Sequence, residues 1–298
     1  VPAVIMLLSV TAIHLMKLNV GGLFQIIMSI LKFGLVLLLA ISGILLGTEG
    51  SWDFSPSEGE WNVILSPGFA VALFYVNYAY AGWNAASYVA GEIKNPAKNI
   101  PKALLLGTIS VLLLYLLINI SFIVSAPKSE MKGQEEVGLI AARYIFGQSG
   151  GNLIGGLVAF GLISAVSAMT WAGPRVTQMI GQDYKNLSFF AKTNKNNTPI
   201  NSVLFQSLIA LVMLLLVDPD RIIIYLEFVL NLSLSAAVAG VIWLRIKEPN
   251  LSRPYRCFGY PLTPILFLCM AIYVEWRLIQ TRPVESLWGL GTVCLGLI

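Results

Sequence analysis

Three groups of residues in this 298-residue chain are of types that do chemistry where they stand. The first is the run Tyr78, Ala79, Tyr80, Ala81, Gly82, Trp83, Asn84, centred on a Gly-Trp-Asn triplet. Glycine and asparagine are poor helix formers, yet this run sits midway along an apolar stretch long enough to cross a bilayer. Backbone groups freed at membrane depth are tolerated only where they line a cavity or hold a ligand. A helix broken there aims carbonyls from its outer half and N–H groups from its inner half, roughly Ala85 to Ile93, at the same place. The carbonyl pole favours an ammonium and the N–H pole a carboxylate, the two charges of an amino acid. A packed helix with a glycine kink is the alternative reading. The second group is Lys32, about 18 Å into its own apolar run at ~1.5 Å per residue. A charge at that depth is costly and marks a functional position by default. The third is Glu227, with Asn231 and Ser235 at i+4 and i+8 on one polar stripe. As the only carboxylate counted inside a span, Glu227 reads as an interfacial group facing the outer headgroups. Lining of an internal cavity by Glu227 and Asn231 is the sharper alternative. Trp83 reads as a pocket wall, and Tyr80 as pocket or packing.

All of this chemistry is binding rather than bond-making. Within the apolar runs there is no metal-ligand cluster, nucleophile motif or carboxylate pair, so neither catalysis nor a cofactor is expected. Cys257, Cys269 and Cys294 are scattered, and the one histidine, His14, stands near a helix end beside Lys17.

The elements that must position these groups follow from composition. At 57% hydrophobic and 11% charged residues, with a mean hydropathy of +0.78, the chain is far from the roughly one-quarter charged content of soluble domains. Apolar runs of twenty residues and more recur, so the class is an all-α polytopic membrane protein, a single transmembrane domain over 1–298. Spans are expected near 1–16 (partial), 21–46, 67–93 (broken near 80–85), 102–126, 151–178, 201–217, 221–245, 262–280 and 286–298 (partial). Ser66-Pro67 caps and starts the broken span. Asn95-Pro96 stops it, and Asn99-Ile100-Pro101 caps and starts the next. The segment from Glu135 to Phe146 carries Val137, Ile140, Ala141, Tyr144 and Ile145 at helical spacing, a short connecting helix on the outer surface.

Loop charges set the orientation. Twelve Lys and Arg residues fall in one set of alternate loops, among them Lys94, Lys98, Lys102, Arg175, Lys247 and Arg253, and six in the other. The loop after the broken span is therefore cytoplasmic. The net charge of +4 is spread over particular loops and is no nucleic-acid signature; the partners expected are a lipid bilayer and a small solute.

The motifs F-x-x-x-Y-A-Y-A-G-W-N and G-E-I-K-N-P-x-x-N-I-P-K-A-L, read from Phe74 to Leu104, resemble the sixth helix and following loop of the amino acid–polyamine–organocation superfamily. Within it the chain is similar to bacterial relatives of the L-type amino acid transporters. Ala172-Gly173-Pro174-Arg175 resembles the inner end of the family's eighth helix, Gly181-Gln182-Asp183 the loop after it, and Asn197-Thr198-Pro199-Ile200-Asn201 the entry to the ninth. Arg253-Pro254-Tyr255-Arg256 with Gly259-Tyr260-Pro261 resembles the lead-in to the eleventh. Gly91 stands where many L-type members carry a second glutamate, and Ala81 where several carry glycine.

The resemblance implies a LeuT-type fold of inverted five-helix repeats. The chain would run from late in the fourth helix to within the twelfth, holding the second repeat and its flanking helices. It implies that Lys32 matches the fifth-helix lysine of sodium-independent members, a built-in substitute for sodium. Ser164, Ser167 and Thr170 on the eighth helix would be its hydroxyl partners. The function implied is a secondary transporter, permease or exchanger, of neutral amino acids by alternating access in the cell membrane, without sodium. The alternatives are a cationic amino acid or polyamine carrier, which would need a carboxylate in its pocket, and an amino acid sensor that does not transport.

Overall fold

Apolar runs bounded by Pro, Gly and Asn become helices of unequal length. The structure, a computed structural model, describes residues 2–15, 21–51, 60–64, 66–134, 136–195, 197–253 and 255–296. Expectations that touch Val1, Met16, Lys17, Asp53, Glu58, Glu135, Pro254 and the last two residues lie outside the described residues. The helices are α1 (Pro2–Leu15), α2 (Gly21–Leu46), α3 (Glu60–Ile64), α4 (Pro67–Ala79), α5 (Ala85–Tyr88), α6 (Pro96–Ser125) and α7 (Lys128–Met131). There follow α8 (Val137–Asp183), α9 (Ile200–Leu216), α10 (Pro219–Lys247), α11 (Leu262–Thr281) and α12 (Pro283–Gly296). Among the described residues five helices are long and apolar enough to cross a membrane: Ile26–Leu46 within α2, and α6, α8, α10 and α11.

The chain forms two compact units. Residues 1–55, 85–93 and 102–211 make the first. Its core joins Leu39 and Ala40 of α2, Ile118 of α6, and Ala142 and Ile154 of α8. Small residues let α2 and α6 approach closely, as membrane helices require in the absence of a hydrophobic drive between them. Ser121 Oγ donates to the Leu39 carbonyl at 3.0 Å and Ser125 Oγ to the Gly43 carbonyl at 3.3 Å. A Cβ on Gly43 would lie 1.8 Å from Ser121 Oγ.

The segment 137–146 is a helix in its own right, as its spacing predicts, and the backbone leaves helical geometry between it and the rest of α8. It joins the rest through a kink at Gly147, whose φ of 73° favours glycine. Its Ala141 and Ala142 are fully buried, which is what the apolar spacing on that segment serves. At the far end of α8, a 3₁₀ segment Lys185–Ala191 packs on Gly181, where a Cβ would meet the Ala191 nitrogen at 2.6 Å.

Residues 56–84, 94–101 and 212–298 make the second unit. Phe74 of α4, Ile224 and Phe228 of α10, and Val274 and Leu278 of α11 form its core. From α12, Gly289 admits the Phe228 ring, 2.5 Å from where a Cβ would stand. The start of α6 differs from expectation. Asn95, at φ 49°, turns the chain directly into Pro96, and Pro101 lies inside the helix rather than at its start. Asn99 caps backwards, its Nδ2 donating to the Lys94 carbonyl at 2.6 Å.

Candidate functional site

Ser66 opens α4 with φ −74° and ψ 154°, its hydroxyl accepting from Phe69 N at 3.2 Å, and Pro67 supplies the pre-set first turn. Thirteen residues later the helix ends at Ala79. Its last turn tightens, with Tyr80 N donating to the Asn77 carbonyl at 3.1 Å and Ala81 N to the Tyr78 carbonyl at 3.0 Å. Residues 80–84 run as turns. Gly82 has φ 98°, a conformation open to glycine and costly for other residues.

Of the seven residues singled out here, Tyr78 and Trp83 are 40% and 45% exposed. Tyr80, Ala81, Gly82 and Asn84 are half-buried and Ala79 is exposed. The inner half-helix is shorter than the Ala85–Ile93 expected. It is one turn, Ala85–Tyr88, followed by a 3₁₀ turn Ala90–Glu92 and an extended Ile93. β-Branched Val89 and permissive Gly91 do not sustain an α-helix there. The dipole at this break therefore comes mainly from α4.

Two residues before the end of α4, Asn77 Nδ2 donates to Glu227 Oε1 of α10 at 2.6 Å. Glu227 is 2% exposed, which overturns its reading as a carboxylate facing the headgroups. Amphipathic spacing could not show this, because a polar stripe faces either water or a neighbouring polar group. Asn231, one turn on, is 3% exposed and donates to the Ala271 carbonyl of α11 at 3.4 Å.

Nor is Glu227 the only carboxylate in a span. Glu275 lies one turn beyond Ala271 on α11. Its two oxygens are buried, and it faces the Asn231 amide and Glu227. In the sequence it is followed at once by Trp276 and Arg277 near a helix end, and so resembles ordinary interfacial charge. One helical turn from the carboxylates lies a crevice of about 30 Å³, lined by Phe74, Ile224, Leu278, Arg277, Thr281 and Arg282 among others.

The residues assigned to the cation site all belong to the first unit. Lys32 is half-buried in α2. Its stem packs on Gly161 of α8, where a Cβ would stand 3.2 Å from Lys32 Cγ. Ser164, fully buried, follows three residues later on the same helix. The other two hydroxyls have other partners. Ser167 Oγ lies 2.9 Å from His14 Nε2 of α1, and Thr170 Oγ1 donates to the Val166 carbonyl at 2.9 Å. The His14–Ser167 pair spans 153 residues and carries no local signal that sequence reading could use. Nearby, the Ala-Gly-Pro-Arg motif has a structural task. Gly173 leaves room for the Gln206 amide, 2.5 Å from where a Cβ would stand, and Arg175 stacks on Trp171 at 3.8 Å from the ring centre.

Comparison with known proteins places these features in context. A family model described as "Amino acid permease" matches residues 1–288. The chain is 24% identical over 294 residues to the b(0,+)-type amino acid transporter 1 of Rattus norvegicus, covering 97% of this chain and 59% of that protein. It is 26% identical over 278 residues to the serine/threonine exchanger SteT of Bacillus subtilis, covering 91% and 62%. With the human cystine/glutamate transporter it shares 23% identity over 297 residues, covering 95% and 56%. The chain thus spans about 60% of the length of the curated relatives it matches.

Proposed function

Taking as premise that this chain belongs to the amino acid permease family, a multi-pass membrane family, we propose that it serves a secondary transporter of neutral amino acids working by exchange. The observation that carries this reading is the interruption of the membrane helix at Tyr80–Asn84, with Gly82 at φ 98°. Helix breaks at membrane depth are where transporters of this kind hold their substrates. The carbonyl end of the 13-residue α4 suits a substrate ammonium. Tyr78, Ala79, Tyr80, Ala81, Gly82, Trp83 and Asn84 are the residues we assign to binding it. A similarity to a serine/threonine exchanger agrees with a small neutral substrate. A cationic side chain would need a reachable carboxylate. Glu227 is instead 2% exposed and already accepts from Asn77, beside a crevice with room for about one water.

Lys32, packed on Gly161 one turn before Ser164 of α8, is assigned the role of a resident cation in place of sodium. The test is counterflow in liposomes containing the protein. Labelled serine, threonine or alanine should accumulate faster when the vesicles are preloaded with unlabelled neutral amino acid than with buffer. Binding of the amino acid without any flux would replace the transporter reading with that of a sensor. Acceleration by lysine or a polyamine alone would replace the substrate class.

A further inference from the structure

Two carboxylates, Glu227 on α10 and Glu275 on α11, face one another within the second unit, and neither forms a salt bridge among the described residues. Glu227 is 2% exposed; Asn77 occupies its Oε1, and its Oε2 is buried with no hydrogen-bond partner. Both oxygens of Glu275 are buried as well, facing the Asn231 amide. Ser235 Oγ, two turns along the Glu227 stripe, is also buried and without a partner. A lone charge at membrane depth is costly, and two facing carboxylates in low dielectric do not both ionise. The polar groups nearest to them are amide donors, those of Asn77 and Asn231. A metal cation, by contrast, needs about six oxygen ligands.

The crevice is the second observation. Phe74 lies one turn before Asn77, Ile224 one turn before Glu227, and Leu278 one turn beyond Glu275. All three line one cavity of about 30 Å³ whose other wall is Arg277, Thr281 and Arg282. That volume admits a single water. It lies on the side of the carboxylates toward the ends of α10 and α11 that carry Arg221 and Arg282. Among the other charged groups here, Arg277 Nε is buried without a hydrogen-bond partner two residues from Glu275, and Arg282 lines the crevice. Arg221 pairs with Glu285 of α12 at 3.9 Å, Tyr225 bonds Thr292 at 2.8 Å, Arg277 Nη1 donates to Gln280 at 3.1 Å, and Tyr75 lines the crevice.

We propose that Glu227 and Glu275 form a proton-binding pair that holds one proton between them, exchanged with water through this crevice. No bond other than O–H is made or broken. A proton taken from crevice water sits on Glu227 Oε2 or on a Glu275 oxygen, while Asn77 continues to donate to Oε1. Because Asn77 belongs to the last turns of α4, the charge of the pair acts directly on the half-helix that ends at the break. This last step rests on the transporter reading; the proton site does not.

The test is infrared spectroscopy of the purified chain in lipid nanodiscs, titrated through neutral pH and followed at the carbonyl stretch of protonated carboxyl groups. The wild type should show such a band near neutral pH, lost as the pH is raised. Glu227→Gln and Glu275→Gln should each move its loss about one pH unit or more downward, because the like charge is gone. The double variant should lack the band. It should also remove the fall in unfolding temperature that the wild type shows as pH rises above the ordinary carboxylate range; this readout stands even where a single variant folds poorly. The proposal is overturned if no band exists near neutral pH, if the band titrates unchanged in both single variants, or if it survives in the double variant. A chain that fails to transport but shows the band would refute only the function proposed above.

Discussion

Asn77 decides how Glu227 is held. Its Nδ2 donates to Oε1 at 2.6 Å, and this is the single hydrogen bond that the carboxylate accepts. Asn77→Ala would leave both oxygens buried and unsatisfied, at a cost of about 1–3 kcal/mol. Glu227→Gln keeps an acceptor for Asn77 and removes the charge, so its stability should stay within about 1 kcal/mol of the wild type or above it. Thermal unfolding of the two variants in the same detergent compares them, and an Asn77→Ala protein as stable as Glu227→Gln would refute the assignment. What the sequence conveyed at this scale was uneven. A charge isolated in an apolar run, such as Lys32 or Glu227, is visible because its surroundings are uniform. Glu275 was hidden by Trp276 and Arg277 beside it, and Asn77 by the aromatic run that contains it. Their pairing belongs to packing between helices that are far apart in the chain.

Helix ends were more legible than helix partners. Ser66-Pro67 and Asn95-Pro96 act through their own backbone geometry, so local reading places α4 and the start of α6 near where the structure has them. Pro101 misled because a proline reads equally as a first-turn residue or as one tolerated further in. Gly147, at φ 73° and ψ 178°, leaves helical geometry and divides α8 between the short segment ending at 146 and the span that follows.

Glycine packing, too, is invisible in one sequence, and α2 provides a clean test. A Cβ on Gly43 would stand 1.8 Å from Ser121 Oγ and 2.7 Å from Ser125 Oγ, while one on Gly34 of the same helix meets nothing within 4 Å. Gly43→Ala should destabilise the protein by about 1–3 kcal/mol, and Gly34→Ala should leave it within about 1 kcal/mol of the wild type. Equal unfolding temperatures would disprove the close α2–α6 approach. In α4 the matching experiment is Gly82→Ala. An alanine held at φ 98° costs roughly 1–3 kcal/mol, so the variant should reach the membrane yet lose substrate flux. Full activity in Gly82→Ala would mean that the break does not shape the site.

For the molecule as a whole, the exposed side chains define what surrounds it. Ile30, Leu45, Phe160, Trp243 and Ile246 are among the large apolar residues more than half exposed on the long helices, a surface suited to lipid rather than water. In that setting Lys32, half-buried on α2, is the residue we propose as a resident cation. The Lys32 stem lies on Gly161, one turn before the fully buried Ser164. Ser167 and Thr170 hydroxyls are engaged by His14 and by the Val166 carbonyl. On the function proposed above, one monovalent cation built into the chain would make a second, dissolved one unnecessary. Counterflow should therefore proceed equally well when sodium is replaced by choline. Lys32→Ala should slow it strongly, while Thr170→Ala, which loses only a bond to its own helix, should slow it far less than Ser164→Ala. Flux that collapses on sodium removal, or that survives in Lys32→Ala, would show that Lys32 is not the resident cation.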